Sequence, residues 1–174
     1  MVETPENERI RGAIERFEEP LLRFASTIVG AHQARDVVQD VFLALVKEPF
    51  SGLEDHLAAW MFTVCRNKAL TEKRKQRRLV GEEEASVEAS TNGGPEGTLE
   101  TKQSASQLLL AMEALSDRDR EVVALKFAGG LSYKEIATVT QLTVTHVGVI
   151  LHEALKKIRE HVAKQEQPLV ARRA

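Results

Sequence analysis

The 174 residues contain a single cysteine, Cys65. A lone thiol excludes an internal disulfide and any zinc site built on cysteine pairs, and it suits a cytoplasmic protein. Its setting, Phe62-Thr63-Val64-Cys65, is apolar, so a packed core thiol is the expected role. Aromatic residues are also scarce, at 5%, which leaves a core made mostly of aliphatic side chains. Proline (5) and glycine (10) are few, while Ala, Leu, Glu, Lys and Arg abound, a composition that predicts an all-α chain. No apolar run approaches the ~20 residues of a membrane span. Met1 to Arg11 is charged and has no apolar segment, so neither a secretory signal nor membrane insertion is expected.

What is present is charge, unevenly placed. The net charge of −2 conceals two opposed blocks. Arg66, Lys68, Lys73, Arg74, Lys75, Arg77 and Arg78 cluster with one acid, Glu72, among them. Glu82, Glu83, Glu84, Glu88, Glu96 and Glu100 follow with no base between Gly81 and Glu100. A local basic block, rather than the total, is the footprint of a nucleic-acid binder.

Apolar spacing divides the chain. Residues 5–80 read as helices, with stripes at Ile10, Ile14, Phe17, Leu21, Phe24, Ala25 and Ile28, then Val37, Val38, Val41, Phe42, Leu45 and Val46, then Leu57, Trp60, Met61, Val64, Cys65 and Leu70. Pro20 predicts a kink or break in the first stripe, and Pro49 ends the second. Residues 81–104, centred on Asn92-Gly93-Gly94-Pro95, carry almost no large apolar side chain and read as a flexible acidic linker. Residues 105–162 are helical again, and 163–174 read as a frayed tail.

The second helical segment has a distinctive plan. Ser116 is placed to cap a helix whose first turn holds Asp117 and Asp119, and Gly129-Gly130 is placed to stop it. Ser132 and Glu135 form a capping box at the head of a short helix containing Ile136, Ala137 and Val139. A turn at Gln141 to Val144 leads to a long helix with Val147, Leu151, Ala154 and Ile158 inward. Short helix, tight turn and long helix describe a DNA-reading helix-turn-helix as well as a plain bundle hairpin. Ala137, small enough for close helix crossing, favours the DNA motif.

Both halves then resemble one family, the extracytoplasmic-function (ECF) branch of the sigma-70 RNA polymerase sigma factors. Asp36-Val37-Val38-Gln39-Asp40-Val41-Phe42-Leu43 resembles the family's polymerase-docking helix. Phe50-Ser51-Gly52, followed by Trp60 through Leu70, resembles its promoter-melting segment. Leu115 to Val122 and Gly130 to Ala137 match its domain-four pattern. The resemblance implies a transcription initiation factor without catalysis or cofactor of its own. Its domain 2 would be residues 5–80 and its domain 4 residues 105–162. Its partners would be core RNA polymerase, promoter DNA and an anti-sigma or other regulatory protein.

It also implies roles. Asp36, Gln39, Asp40 and Leu43 would meet polymerase, with Arg35 standing where relatives often carry an acid. Arg66, Asn67, Lys68, Lys73, Arg74, Lys75, Arg77 and Arg78 would hold DNA around the minus-ten element, since an opened strand needs cations along its backbone. The loop from Glu48 to His56 would accept a flipped base; His56 reads equally as a solvated loop residue, and Trp60 as core more than as a stacking platform. The long helix departs from the family: Gly148, Ile150 and Glu153 stand where cations are expected, Gln141 where a turn glycine is expected, and Thr143 where a proline is expected.

Three accounts of that helix are open. Thr145, His146, Val149 and His152 read thymine methyls and acceptors. Alternatively Lys156, Lys157 and Arg159 hold phosphates only, or an exposed Val149–Ile150 patch binds a protein. Gly148 inside the helix points to a close backbone approach. His146, His152 and His161 lack the partners for a metal site. A stand-alone helix-turn-helix regulator is the alternative function, though it would need neither Asp36 to Leu43 nor the basic block. No glycine-rich phosphate loop or nucleophilic triad points to an enzyme.

Overall fold

The computed structural model describes residues 4–49, 52–80 and 99–166, which form seven helices and, among the described residues, no strand. They are α1 (Pro5–Val29), α2 (Ala31–Lys47), α3 (Leu57–Val80), α4 (Leu99–Glu113), α5 (Asp117–Phe127), α6 (Tyr133–Thr140) and α7 (Val144–Glu166). The second helical segment therefore starts at Leu99, inside the stretch expected as linker, and α7 continues to Glu166, past the expected start of the tail. The rest of the expected linker and tail, residues 81–98 and 167–174, lies outside the described residues, as do Phe50 and Ser51 of the melting-segment motif.

Local chemistry explains where the helices begin. Thr4 caps α1 by accepting from the Asn7 N–H, Pro5 takes the first turn where its missing N–H costs nothing, and Glu6 and Glu8 face the positive end of the dipole. Pro20 does not break α1, contrary to the sequence expectation. An interior proline costs about 3 kcal/mol. Phe17, Leu21, Phe24, Ala25 and Ile28 are buried along one face that a break would split, and at about 1.5–3 kcal/mol for each large side chain their burial outweighs that cost. Gly30, at φ 83°, serves both as the last cap of α1 and the first of α2, so the two helices fold back with no intervening loop.

In the front half α1, α2 and α3 pack on one another through Phe24, Val41, Leu45, Met61 and Phe62. Cys65 is buried there as expected, and burial pushes its thiol up to about 12. In the back half α4, α5 and α6 pack on α7 around Leu125, Leu131, Ile136, Val147 and Leu151. Arg120 staples the α4–α5 turn by donating to the carbonyls of Met112, Glu113 and Leu115 at 3.0–3.1 Å. The two halves are also in contact, α5 against α1 and α6 against α3, and their buried side chains form a continuous cluster.

Candidate polymerase and nucleic-acid interfaces

The face of α2 turned from the core carries Asp36, Gln39, Asp40 and Leu43, all exposed, while Val37, Val38, Val41 and Leu45 are buried behind it. Val46, assigned to the apolar stripe from spacing alone, is instead 59% exposed and extends the apolar end of this face beside Leu43 at 54%. Such a face combines carboxylates with uncovered aliphatic area, a composition complementary to a basic, partly apolar groove. Asp36 and Asp40 share a cleft with Asn67, Lys68 and Lys75 of α3, and Lys68 approaches Asp40 at 3.6 Å. The expected docking face and one edge of the basic helix are thus neighbours.

The basic block on α3 is divided by the helix into two faces. Asn67, Lys68 and Lys75 line the cleft with α2, and Lys75 lies 3.6 Å from Glu72. Arg66 and Lys73 face the other way, toward the back half. Arg66 pairs with Glu121 through both its Nε and Nη2, and Lys73 donates to Asp117 at 2.9 Å. The Lys73 hydrogen bond holds the Asp117 carboxyl below its ordinary value, and Arg77 and Arg120 add to the effect. Arg74, Arg77 and Arg78 are exposed. Trp60 is half-buried and packs on the core, whereas His56 is exposed just before α3.

The back half has helix-turn-helix geometry. Ser132 accepts from the Glu135 N–H at 3.2 Å and Glu135 accepts from the Ser132 N–H at 2.7 Å, the expected capping box. The turn bends at Gln141, which adopts the left-handed conformation (φ 59°, ψ 31°), and Thr143 accepts from the His146 N–H at 3.1 Å to start α7. Ala137 lies half-buried against the core, with its carbonyl taking the Leu142 N–H as the chain turns. Thr145, His146, Val149, His152 and Lys156 are all exposed on α7, with Arg118 of α5 reaching His146. Ile150 is 6% exposed and belongs to the core, so the Val149–Ile150 patch does not exist as such. Phe127 is 62% exposed because α5 ends there and the chain turns away at Gly129-Gly130.

Among the described residues no three His, Cys, Asp or Glu side chains converge as a metal set, and no helix is long and apolar enough to cross a membrane.

These two helical units match known proteins. The family models "Sigma-70 region 2" and "Sigma-70, region 4" cover residues 13–79 and 105–158. The chain is 30% identical to the ECF RNA polymerase sigma factor EcfG of Rhodopseudomonas palustris over 142 residues, 80% of this chain and 77% of that one. It is also 30% identical to the ECF RNA polymerase sigma factor SigL of Mycobacterium tuberculosis over 159 residues, 86% of each. The chain belongs to the ECF RNA polymerase sigma factors. Its fold agrees with two solved structures. One is the sigma factor RpoE in complex with the anti-sigma factor NepR from Bartonella quintana, at TM-score 0.69 and 22% identity over 92% of this chain and 99% of that one. The other is CnrH in complex with the cytosolic domain of CnrY, at TM-score 0.60 and 21% identity over 91% and 90%.

In this sigma factor the region 2 match takes in both the α2 face and the basic α3, and the region 4 match takes in α5, α6 and the exposed stripe of α7. Sequence reasoning missed Asp117 and Glu121 as partners of α3. Their spacing of four sets them on one helical face, but nothing in one sequence names the cations they meet.

Proposed function

We propose that this ECF sigma factor docks on core RNA polymerase through Asp36, Gln39, Asp40 and Leu43, with Val46 widening the contact. It holds promoter DNA near the minus-ten element with the α3 block. The observation that carries this reading is the shared cleft, which sets the acidic face of α2 directly beside Asn67, Lys68 and Lys75. A polymerase-bound α2 would then present α3 to DNA lying across the enzyme. The sigma factor supplies recognition and strand holding, polymerase supplies the chemistry, and the site of action is the cytoplasm, where both partners are found. A stand-alone regulator would have no use for this pairing of faces.

For region 4 we favour base reading by Thr145, His146, Val149 and His152, with Lys156 at a phosphate. These side chains form one exposed stripe of α7, and the burial of Ile150 removes half of the competing protein-binding patch. RpoE and CnrH were each solved with a bound partner, the anti-sigma factor NepR and the cytosolic domain of CnrY. By analogy an anti-sigma protein controls this chain as well.

Run-off transcription with core polymerase on a genomic fragment library, with start sites mapped, tests the reading. Discrete starts that share upstream elements are expected. An absence of starts above those of core enzyme alone would remove it.

A further inference from the structure

The exposed stripe of α7 is short of cations, with Gly148, Ile150 and Glu153 at the positions where the family resemblance leads one to expect them. A cation reaches the head of that stripe from another helix. Arg118, in the first turn of α5, sets its Nη2 against the imidazole of His146, 3.3 Å from Nδ1 and closer to Nε2. Its neighbour Asp119 accepts from Lys157 at 3.2 Å. Two adjacent residues of α5 thus grip α7 at His146 and at Lys157, about 16 Å apart along its axis. Arg118 is thereby laid along α7 with its guanidinium at the first turn.

The guanidinium is held there without being neutralised. Asp117 is engaged by Lys73 and Arg120, Asp119 by Lys157, and among the described residues no carboxylate pairs with Arg118. Arg118 and His146 are both exposed. A guanidinium has only donors, so the ring nitrogen that it meets is an acceptor and the ring proton lies on the other nitrogen. The remaining guanidinium N–H groups face solvent beside the first turn of α7, the part of a reading helix that meets base edges. In the major groove guanine shows two adjacent acceptors, N7 and O6, whereas adenine shows an acceptor beside a donor. Side-by-side N–H groups fit the first and are opposed by the second.

We propose that Arg118 is a base-reading residue of region 4 contributed by α5: its guanidinium, aimed by His146, donates to N7 and O6 of a guanine in the upstream promoter element. The inference rests on the reading of α7 as the helix that meets DNA. It places on the neighbouring helix the cation that α7 itself lacks.

The test uses full-length chain assembled with core polymerase and a DNA pool randomised over the upstream element, with bound molecules sequenced. Wild type should select guanine at one position, Arg118→Ala should lower that preference about ten-fold, and Arg118→Lys should restore part of it. His146→Ala should weaken the preference at the same position. On the selected promoter, 7-deazaguanine at that position removes the N7 acceptor. It should weaken wild-type binding several-fold and leave Arg118→Ala unaffected. An unchanged guanine preference in Arg118→Ala overturns the proposal. So does equal weakening on every sequence with a shallower salt dependence, which would assign Arg118 to a phosphate. Val149→Ala and His152→Ala separate this inference from the broader reading. Altered selection in the α7 variants with none in Arg118→Ala defeats this inference alone. No alteration in Arg118→Ala, His146→Ala, Val149→Ala or His152→Ala removes base reading by region 4 as a whole.

Discussion

The ring of Tyr133 lies beside the backbone of Gly148, so that a Cβ added to Gly148 would sit 3.6 Å from Cε2, at ordinary van der Waals distance. The close approach that an interior glycine suggests is therefore made by a side chain of α6, and it leaves room for a methyl group. Gly148→Ala should raise the stability of the chain by about 0.5–1 kcal/mol, the helix propensity difference. Urea titration measures it, and a loss of stability would show that Tyr133 cannot adjust. If stability rises while DNA affinity falls, the missing Cβ serves the DNA side of α7 instead.

Gln141 presents the opposite case. Its left-handed backbone, φ 59°, is one that L side chains adopt at a cost of roughly 1–2 kcal/mol and glycine adopts freely. Gln141→Gly should stabilise region 4 by about 1 kcal/mol, less the added entropy of the unfolded chain. Thermal denaturation of the variant beside Gly148→Ala would show whether the two gains add, as expected for sites with no shared partner. A lower melting temperature for Gln141→Gly would mean that the glutamine side chain contributes more than its backbone costs.

The capping box, the Ser116 cap, the turn after Gln141 and the two helical units follow from residues close together in the chain, so spacing and side-chain chemistry were enough to foresee them. Pro20 misled because a local rule yielded to the burial of Phe17, Leu21 and Phe24, which only tertiary packing supplies. Val46 and Ile150 lie on other faces than their spacing suggests, for a related reason. Apolar spacing shows that a helix has an inner side but not where its neighbours end. The pairs Arg66–Glu121 and Lys73–Asp117 span 55 and 44 positions, and no periodicity reports on contacts at that range. Exposed faces were most legible where one helix carries the whole face, as on α2 and α7, and contacts least where two distant helices share them.

Cys65 should behave as an inert thiol. Burial raises its pKa from 9.0 to about 12, so at neutral pH the nucleophilic thiolate is almost absent. Labelling by a thiol reagent should be slow in the native chain and rapid in denaturant. The sign for stability follows from proton counts. Above pH 9 the unfolded chain releases this proton while the folded chain keeps it, so stability falls as pH rises toward 12. Wild type should lose about 1 kcal/mol more than Cys65→Ala between pH 9 and pH 10. Equal losses in the two proteins would show that Cys65 ionises without penalty.

Phe62 and Phe127 make a controlled pair, since both are phenylalanines on helices but only one is covered. Phe62 is fully buried, edge-on to Phe24 at 5.5 Å between ring centroids and 65° between planes, with the Gly129 turn on its other side. Phe62→Ala removes contacts with both halves and should cost about 3–5 kcal/mol in urea unfolding. Phe127→Ala, on an exposed side chain, should stay within about 0.5 kcal/mol. A change below about 1 kcal/mol for Phe62→Ala would mean that its ring is not packed between Phe24 and the Gly129 turn.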